Sequence, residues 1–279
     1  MDKRSISPVA KLLIYILMAA FTILAIYPVL WVMIQSFKTT QVYLTTRKLS
    51  LPKVWYYDNY PYTWRMGNFT TLFRNSVFYT VITVSAVVIL ALMAGFGFTK
   101  LKFKITPFFH GLFIIGILLT IQSILVPLFL LVNAAKLYNT RLGVLIPYIG
   151  LGLPMGVYLC TEYIKGIPNE LVESARIDGA GYFRILGSII IPMCIPVAVT
   201  LAIITFTATW NEFILVNILT STDEYKSLTV GVNRFAGTRA TDFGRQFTGL
   251  TIALIPILVF YGIFRKQITK GVAAGAVKG

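Results

Sequence analysis

Six stretches of this chain carry no charged side chain over roughly the 20 residues that a helix needs to cross a bilayer. They lie between Lys11 and Lys38, Arg74 and Lys100, Lys104 and Lys136, Arg141 and Glu162, Arg184 and Glu212, and Arg245 and Arg265, leaving 26, 25, 31, 20, 27 and 19 residues. Lipid offers the backbone no hydrogen-bond partner, so only helices and closed barrels cross it. The six runs lack the in–out alternation of barrel strands. An all-α polytopic membrane protein with six transmembrane helices is therefore expected, over about 12–35, 72–99, 107–131, 142–162, 189–219 and 247–264. The fifth includes Glu212 in its last turns. The first is longer than the apolar core of a signal peptide and is expected to stay in place.

Composition excludes most other classes. Charged residues are 13% of the chain, against about 25% in soluble domains, and mean hydropathy is +0.77. A soluble enzyme, a disordered chain and a disulfide scaffold do not fit. Two cysteines and one histidine leave too few ligands for zinc ribbons or His-rich metal centres, so no metal site is expected. Cys160 and Cys194 read as small buried apolar residues without a disulfide, and His110 as a packing or interfacial residue. There is no Gly-Lys dipeptide, hence no phosphate-cradling GxxxxGK[ST] loop and no ATP site of that type. Glu212 alone at membrane depth does not make an ion relay. The net charge of +15 is spread over span ends, which does not suit nucleic acid.

An even number of spans puts both termini on one side. Lys and Arg divide almost equally between the two sides, 13 against 12. The dense group Lys100, Lys102 and Lys104, and the group Arg265, Lys266 and Lys270 after the last span, favour both termini inside.

The segment from Glu162 to Ser188 is the one mixed-charge stretch with helical spacing between two spans. Pro168 suits the first turn of a helix. Glu170 and Glu173 then complement the helix dipole, Leu171 and Ala175 share a face, and Asp178-Gly179 ends the helix in a turn. The result is a short surface helix bent at Gly179. Its residues have a further pattern: Glu173-Ser174-Ala175, three residues, Gly179, nine residues, then Ile189-x-Ile191-Pro192. This resembles the EAA signature of ABC-importer permeases, with Ser174 for an alanine and Ile191 for a leucine. Ile167-Pro168-x-Glu170-Leu171 and Asp178-Gly179-Ala180 are similar to the carbohydrate branch of that family. So are Trp210-Asn211-Glu212-Phe213, Asn75-Ser76, Asn139-Thr140-Arg141-Leu142-Gly143 and the tail from Lys270 to Gly279, which resembles the maltose-type "G" membrane subunit.

The resemblance implies a type I ABC-importer permease fold, with residues 1–279 forming one transmembrane permease domain and both termini cytoplasmic. The loop 163–188 would be cytoplasmic, and its helix, about 167–181, would couple to an ATPase through Glu170, Leu171, Glu173, Ser174, Ala175, Asp178, Gly179 and Ala180. Leu171 and Ala175 would supply an apolar contact, and Glu170, Glu173 and Asp178 carboxylates for basic groups on the partner. The tail 265–279 would be cytoplasmic, and its last part, 271–279, which by composition alone reads as a loose end, would reach the ATPase subunits through Gly275, Ala276 and Val277.

Implied partners are a second permease of different sequence, two cytoplasmic ATPase subunits, an extracytoplasmic solute-binding protein, membrane lipid and a carbohydrate, expected to be an oligosaccharide. ATP and Mg would be bound by the ATPase, with no cofactor and no catalytic residue in this chain. The expected place is a prokaryotic plasma (inner) membrane. Tyr158, Trp210, Asn211, Glu212 and Asn217 combine flat apolar faces with hydrogen-bonding groups and are the candidates for the substrate path, against helix packing as the plainer role. Trp55, Tyr56, Tyr57, Tyr60, Tyr62 and Trp64 suit an interfacial belt or a docking surface for the binding protein. An importer for a non-sugar solute is the nearest alternative, and an ion-coupled carrier acting alone a more distant one.

Overall fold

The computed structural model describes residues 7–101, 104–236 and 241–276, with side chains as far as Gln267. The helices run α1 Pro8–Gln35, α2 Thr40–Thr45, α3 Asn59–Met66, α4 Phe69–Lys100, α5 Thr106–Ile117, α6 Ile121–Ala134 and α7 Arg141–Lys165. They continue with α8 Asn169–Ile177, α9 Tyr182–Ile185, a π-helical turn Leu186–Ile190, α10 Ile191–Met193, α11 Ile195–Asn211, α12 Ile214–Leu219 and α13 Leu228–Gly231. A 3₁₀ turn Val232–Phe235 and α14 Phe243–Ala276 complete the chain. Among the described residues four helices, α1, α4, α7 and the first 25 residues of α14, are long and apolar enough to cross a membrane, and up to six spans result if two bent helix pairs each count as one.

Those two pairs depart from the continuous helices that the sequence suggests. Over 107–131 the chain forms α5 and α6, bent by 110° at Leu118–Thr120. Gly116 ends α5 where a Cβ would stand 2.9 Å from the Pro154 ring, so only glycine lets α7 come this near. Over 189–219 the chain bends by 77° at Cys194 and breaks again at Glu212–Phe213. Pro192 and Pro196 each remove a backbone donor, which accounts for the π turn and the bend.

One unit comprises residues up to Phe69 together with 232–255. Helix α1 is apolar all round and exposed along its length, so lipid or other protein must surround it. Beyond it a buried polar cluster forms: Asn59 Nδ2 donates to the carbonyls of Ser36 (2.8 Å) and Lys38 (3.0 Å), and Thr248 Oγ1 to Ser36 O (3.1 Å). The aromatic loop joins this cluster. Phe37 is ringed by Trp55, Tyr57 and Tyr60 at 5.1–5.3 Å, and the Arg245 guanidinium lies 3.5 Å above the Tyr62 ring.

The other unit comprises 70–231 and 256–279. In it α4 and α7 meet through small residues: Val87, Ala91 and Gly95 on α4 against Gly152, Gly156 and Cys160 on α7. A Cβ on Gly95 would stand 3.0 Å from the backbone of Cys160 and Thr161, so the helices touch main chain to side chain, as small residues allow in membranes. Both cysteines are buried and unbonded, and the His110 ring packs edge-on against Phe98 at 5.9 Å.

Gly95→Leu should therefore lower the thermal midpoint of the detergent-solubilised protein, since overpacking of this kind costs about 1–3 kcal/mol. Gly97→Leu, two residues along the same helix with nothing within 4 Å of its Cβ, should leave the midpoint near wild type. Equal shifts in the two variants would argue against the close α4–α7 approach.

Candidate functional site

Helix α8 starts after Pro168, whose extended ψ of 138° and missing N–H suit the cap position. Glu170 sits in its first turn and Arg176 in its last, as the dipole prefers. Its inward residues are Val172 and Ala175, three apart, which join the core formed by Phe96, Ile164 and Ile185. This corrects the apolar contact expected of Leu171 and Ala175. Ala175 is spent inside the chain, whereas Leu171 is exposed. The outward apolar surface is instead Leu171 with Ile177 and Phe183, the last two 87% and 83% exposed. Glu170, Glu173, Ser174 and Asp178 are also exposed.

The helix stops in a Schellman turn. Ala180 N donates to Ala175 O (2.9 Å) and Gly179 N to Arg176 O (3.0 Å), with Gly179 at φ +80°. No atom lies within 4 Å of a Cβ at Gly179, so the backbone conformation, not crowding within the chain, requires glycine.

Sequence reasoning missed the residue that fastens this helix. Lys100, the last residue of α4, reaches across with Nζ 2.6 Å from the Ile167 carbonyl and 2.7 Å from Asn169 Oδ1. It holds two groups at the start of α8. Beside it, the Arg176 guanidinium lies 4.9 Å from the Tyr182 ring centre, tying α8 to α9. In the sequence Lys100 counts only as one of the basic group Lys100, Lys102 and Lys104 that favours the inner side.

At the opposite end of α11 the chain is held by its own side chains. Glu212 occupies the break before α12, where its Oε1 accepts from Leu215 N (2.8 Å) and its Oε2 from Val216 N (3.2 Å) and from the Tyr148 hydroxyl of α7 (2.7 Å). Asn139, at φ +55°, accepts from Ser221 N and Thr222 N just past α12. Asn75 Nδ2 donates to the carbonyls of Glu224 and Lys226, and Ser76 Oγ accepts from Leu228 N. The short polar motifs at 75–76, 139–143 and 210–213 thus secure breaks and loops at one end of the spans.

The five candidate path residues do not converge. Trp210 is 4% exposed, stacked on Phe206 at 5.8 Å and edge-on to Phe73 at 6.1 Å, which is packing. Asn211 Nδ2 donates to Thr207 O on its own helix, and Asn217 and Tyr158 face outward separately. Glu212 alone of the five borders a hollow, shared with Tyr148, Thr205 and Thr209. In the tail, α14 continues through Gly275 to Ala276, where composition suggested a loose end; Val277 lies outside the described residues.

Residues 2–273 match the family model described as "Binding-protein-dependent transport system inner membrane component". The chain belongs to this family. Among relatives of this permease are a putative ABC transporter permease, ORF2, of Caldicellulosiruptor sp. (strain Rt8B.4), 35% identical, with 95% of this chain and 96% of the relative covered. The trehalose transport system permease SugB of Mycobacterium tuberculosis is 32% identical over 91% of this chain and 93% of its own. A chain in the crystal structure of a bacterial ABC transporter that imports the acidic polysaccharide alginate has the same fold, with a TM-score of 0.81 at 21% identity, covering 95% of this chain and 98% of that one. The permease is thus a multi-pass transport component of the inner membrane rather than an enzyme, and its family implies an ATPase and a binding protein as partners.

If Lys100 fastens α8, Lys100→Met should raise amide exchange over 169–177 about tenfold in the solubilised permease. Exchange over 144–157 of α7 should not change. An unaltered α8 would mean that Val172 and Ala175 suffice to hold it.

Proposed function

We propose that this chain is the transmembrane permease subunit of an ATP-driven importer for a carbohydrate, and that α8 receives the motion of a cytoplasmic ATPase. The observation that carries this reading is the double character of α8. Its inner face is part of the core shared by α4, α7 and α11. Outward it exposes Leu171 and Ile177 together with the carboxylates of Glu170, Glu173 and Asp178, and Phe183 of α9 is exposed beyond it. Exposed apolar and acidic side chains together suit a protein partner with basic groups. A push on α8 would be carried directly into the spans.

The loop 163–188, both termini and the continuation of α14 then lie in the cytoplasm, with Gly275, Ala276 and Val277 toward the ATPase pair. A second permease of different sequence completes the path, a binding protein delivers solute from outside, and ATP with Mg is bound by the ATPase. Transport proceeds by rigid-body switching of packed helices, without covalent chemistry in this chain. The carbohydrate assignment draws on the trehalose and alginate systems to which the permease is similar, and on the Pro168–Ala180 segment.

Tagged at its N-terminus and extracted from its host in mild detergent, the permease should bring down a second permease and an ATPase in 1:1:2 proportion. Hydrolysis by that complex should rise with binding protein plus a sugar. A chain that came out alone and still transported would overturn the reading. Truncation after Lys270 should weaken retention of the ATPase.

Gly179→Val forces a β-branched residue into a left-handed conformation that costs L-residues about 1–2 kcal/mol. It should leave insertion intact and cut uptake per ATP hydrolysed. Normal coupling in this variant would remove α8 from the transmission path.

A further inference from the structure

The hollow bordered by Glu212 has a volume of about 230 Å³. Two chain breaks meet there: the α5–α6 bend, through Leu119 and Ile121, and the α11–α12 break at Glu212. Interrupted helices at membrane depth are tolerated where they are buried in protein or line a cavity, and in transporters they commonly frame the solute site. Tyr148 lies seven residues from the start of α7, about 10 Å along this apolar helix, so the hollow opens within the length of the span rather than at its end.

Its polar groups have unused capacity. Thr200 and Thr207 bond back to carbonyls of their own helix, at 3.0 and 2.8 Å. The hydroxyls of Thr205 and Thr209, on the face of α11 that borders the hollow, have no partner among the described residues. A carboxylate has about four acceptor positions, and Glu212 uses three of them on Leu215, Val216 and Tyr148. Tyr148 donates to Glu212 and keeps its oxygen free to accept. Leu151 and Met155 supply apolar surface beside this polar strip.

We propose that this hollow is a solute subsite within the present chain, taking one ring of an uncharged sugar and disfavouring acidic ones. Sugar hydroxyls both donate and accept. A donor would meet the open position on Glu212, neighbouring hydroxyls would pair with Thr205, Thr209 and Tyr148, and the C–H face of the ring would lie on Leu151 and Met155. The hollow is bordered by a carboxylate and by no lysine or arginine. A uronate would therefore place like charges together where water is scarce, an arrangement that rejects it. The proposal rests on the carbohydrate reading, and two independent measurements separate the failure of each.

The first uses thiol reagents on the complete transporter in membrane vesicles, with Cys160 and Cys194 buried and silent. Thr209→Cys should react with trimethylammonioethyl methanethiosulfonate about tenfold faster than with its sulfonatoethyl counterpart, as a charged cleft enriches counter-ions. Glu212→Gln should bring the two rates together. A Thr209→Cys inert to both reagents, or equally reactive with both, overturns the subsite whatever the solute.

The second is uptake of labelled trehalose, maltose and cellobiose by whole cells. The double variant Thr205→Val, Thr209→Val should slow uptake of whichever sugar the wild type imports by about tenfold, the loss of about 1.4 kcal/mol. Its folded amount should be unchanged, since neither hydroxyl has a partner among the described residues. Undiminished uptake overturns the subsite. Failure of the wild type to import any of the three counts against the carbohydrate reading, and the thiol reagents still decide the hollow.

Discussion

A backbone amide in lipid has no water to fall back on, and this constraint governs the rest of the structure. Unbroken helices meet it automatically, as α1, α4, α7 and α14 do. The bent and broken spans do not, and at the α11–α12 break a side chain takes over the lost bonds. Glu212 serves the first N–H groups of α12. Asn139 serves the residues just past it, and Asn75 and Ser76 serve the loop beyond. Leaving such a group unpaired would cost about 1–3 kcal/mol each. Polar residues concentrated where spans are interrupted are therefore a condition of having interruptions at all.

The same economy of polar contact explains how α8 can be a surface helix and part of the core at once. It has nine residues, too few to be stable alone. Val172 and Ala175 bury it, Lys100 fixes its start and the Gly179 turn fixes its end. Nothing in that arrangement uses Leu171, Ile177 or Phe183. The helix is mounted on the spans by one face and leaves Leu171 and Ile177 exposed among the described residues.

How much of this was legible in the sequence follows from what each signal measures. Freedom from charge reports burial in lipid, so the apolar segments were readable from spacing between charged residues. It says nothing of direction, and so the bends at 118–120 and Cys194 were invisible, although Pro192 and Pro196 were in view. The EAA-like pattern located α8, but helical spacing alone could not say which face turned inward. Leu171 and Ala175, four apart, looked like one surface, whereas Val172 and Ala175, three apart, are the buried pair. Trp210 and Glu212 stand two apart in one motif with different tasks: the tryptophan packs against Phe206 and Phe73, and the carboxylate holds a chain break. Tyr148, Thr205 and Thr209 gave no signal, because a hydroxyl on an apolar helix usually bonds its own backbone. Only the geometry shows that Thr205 and Thr209 do not, and that Tyr148 turns to Glu212.

The two ends of the larger unit are joined by the elements that form both. Helix α7 contributes Val157, Cys160 and Ile164 to the core that seats α8, and Tyr148 to the far hollow. Helix α11 contributes Val197 and Leu201 to that core and Thr205 and Thr209 to the hollow, which Glu212 borders just past its end, with Leu201 touching both. Close-packed cores of this kind shift as bodies rather than deform. A displacement of α8 that tilts α11 against α7 must then change the Tyr148–Glu212 distance, because that hydrogen bond is where the two helices are tied beyond the core. It is short, it is directional, and its acceptor also holds the first turn of α12. Breaking it would release α7 from Glu212 while the carboxylate still holds Leu215 N and Val216 N, so α12 would keep its cap.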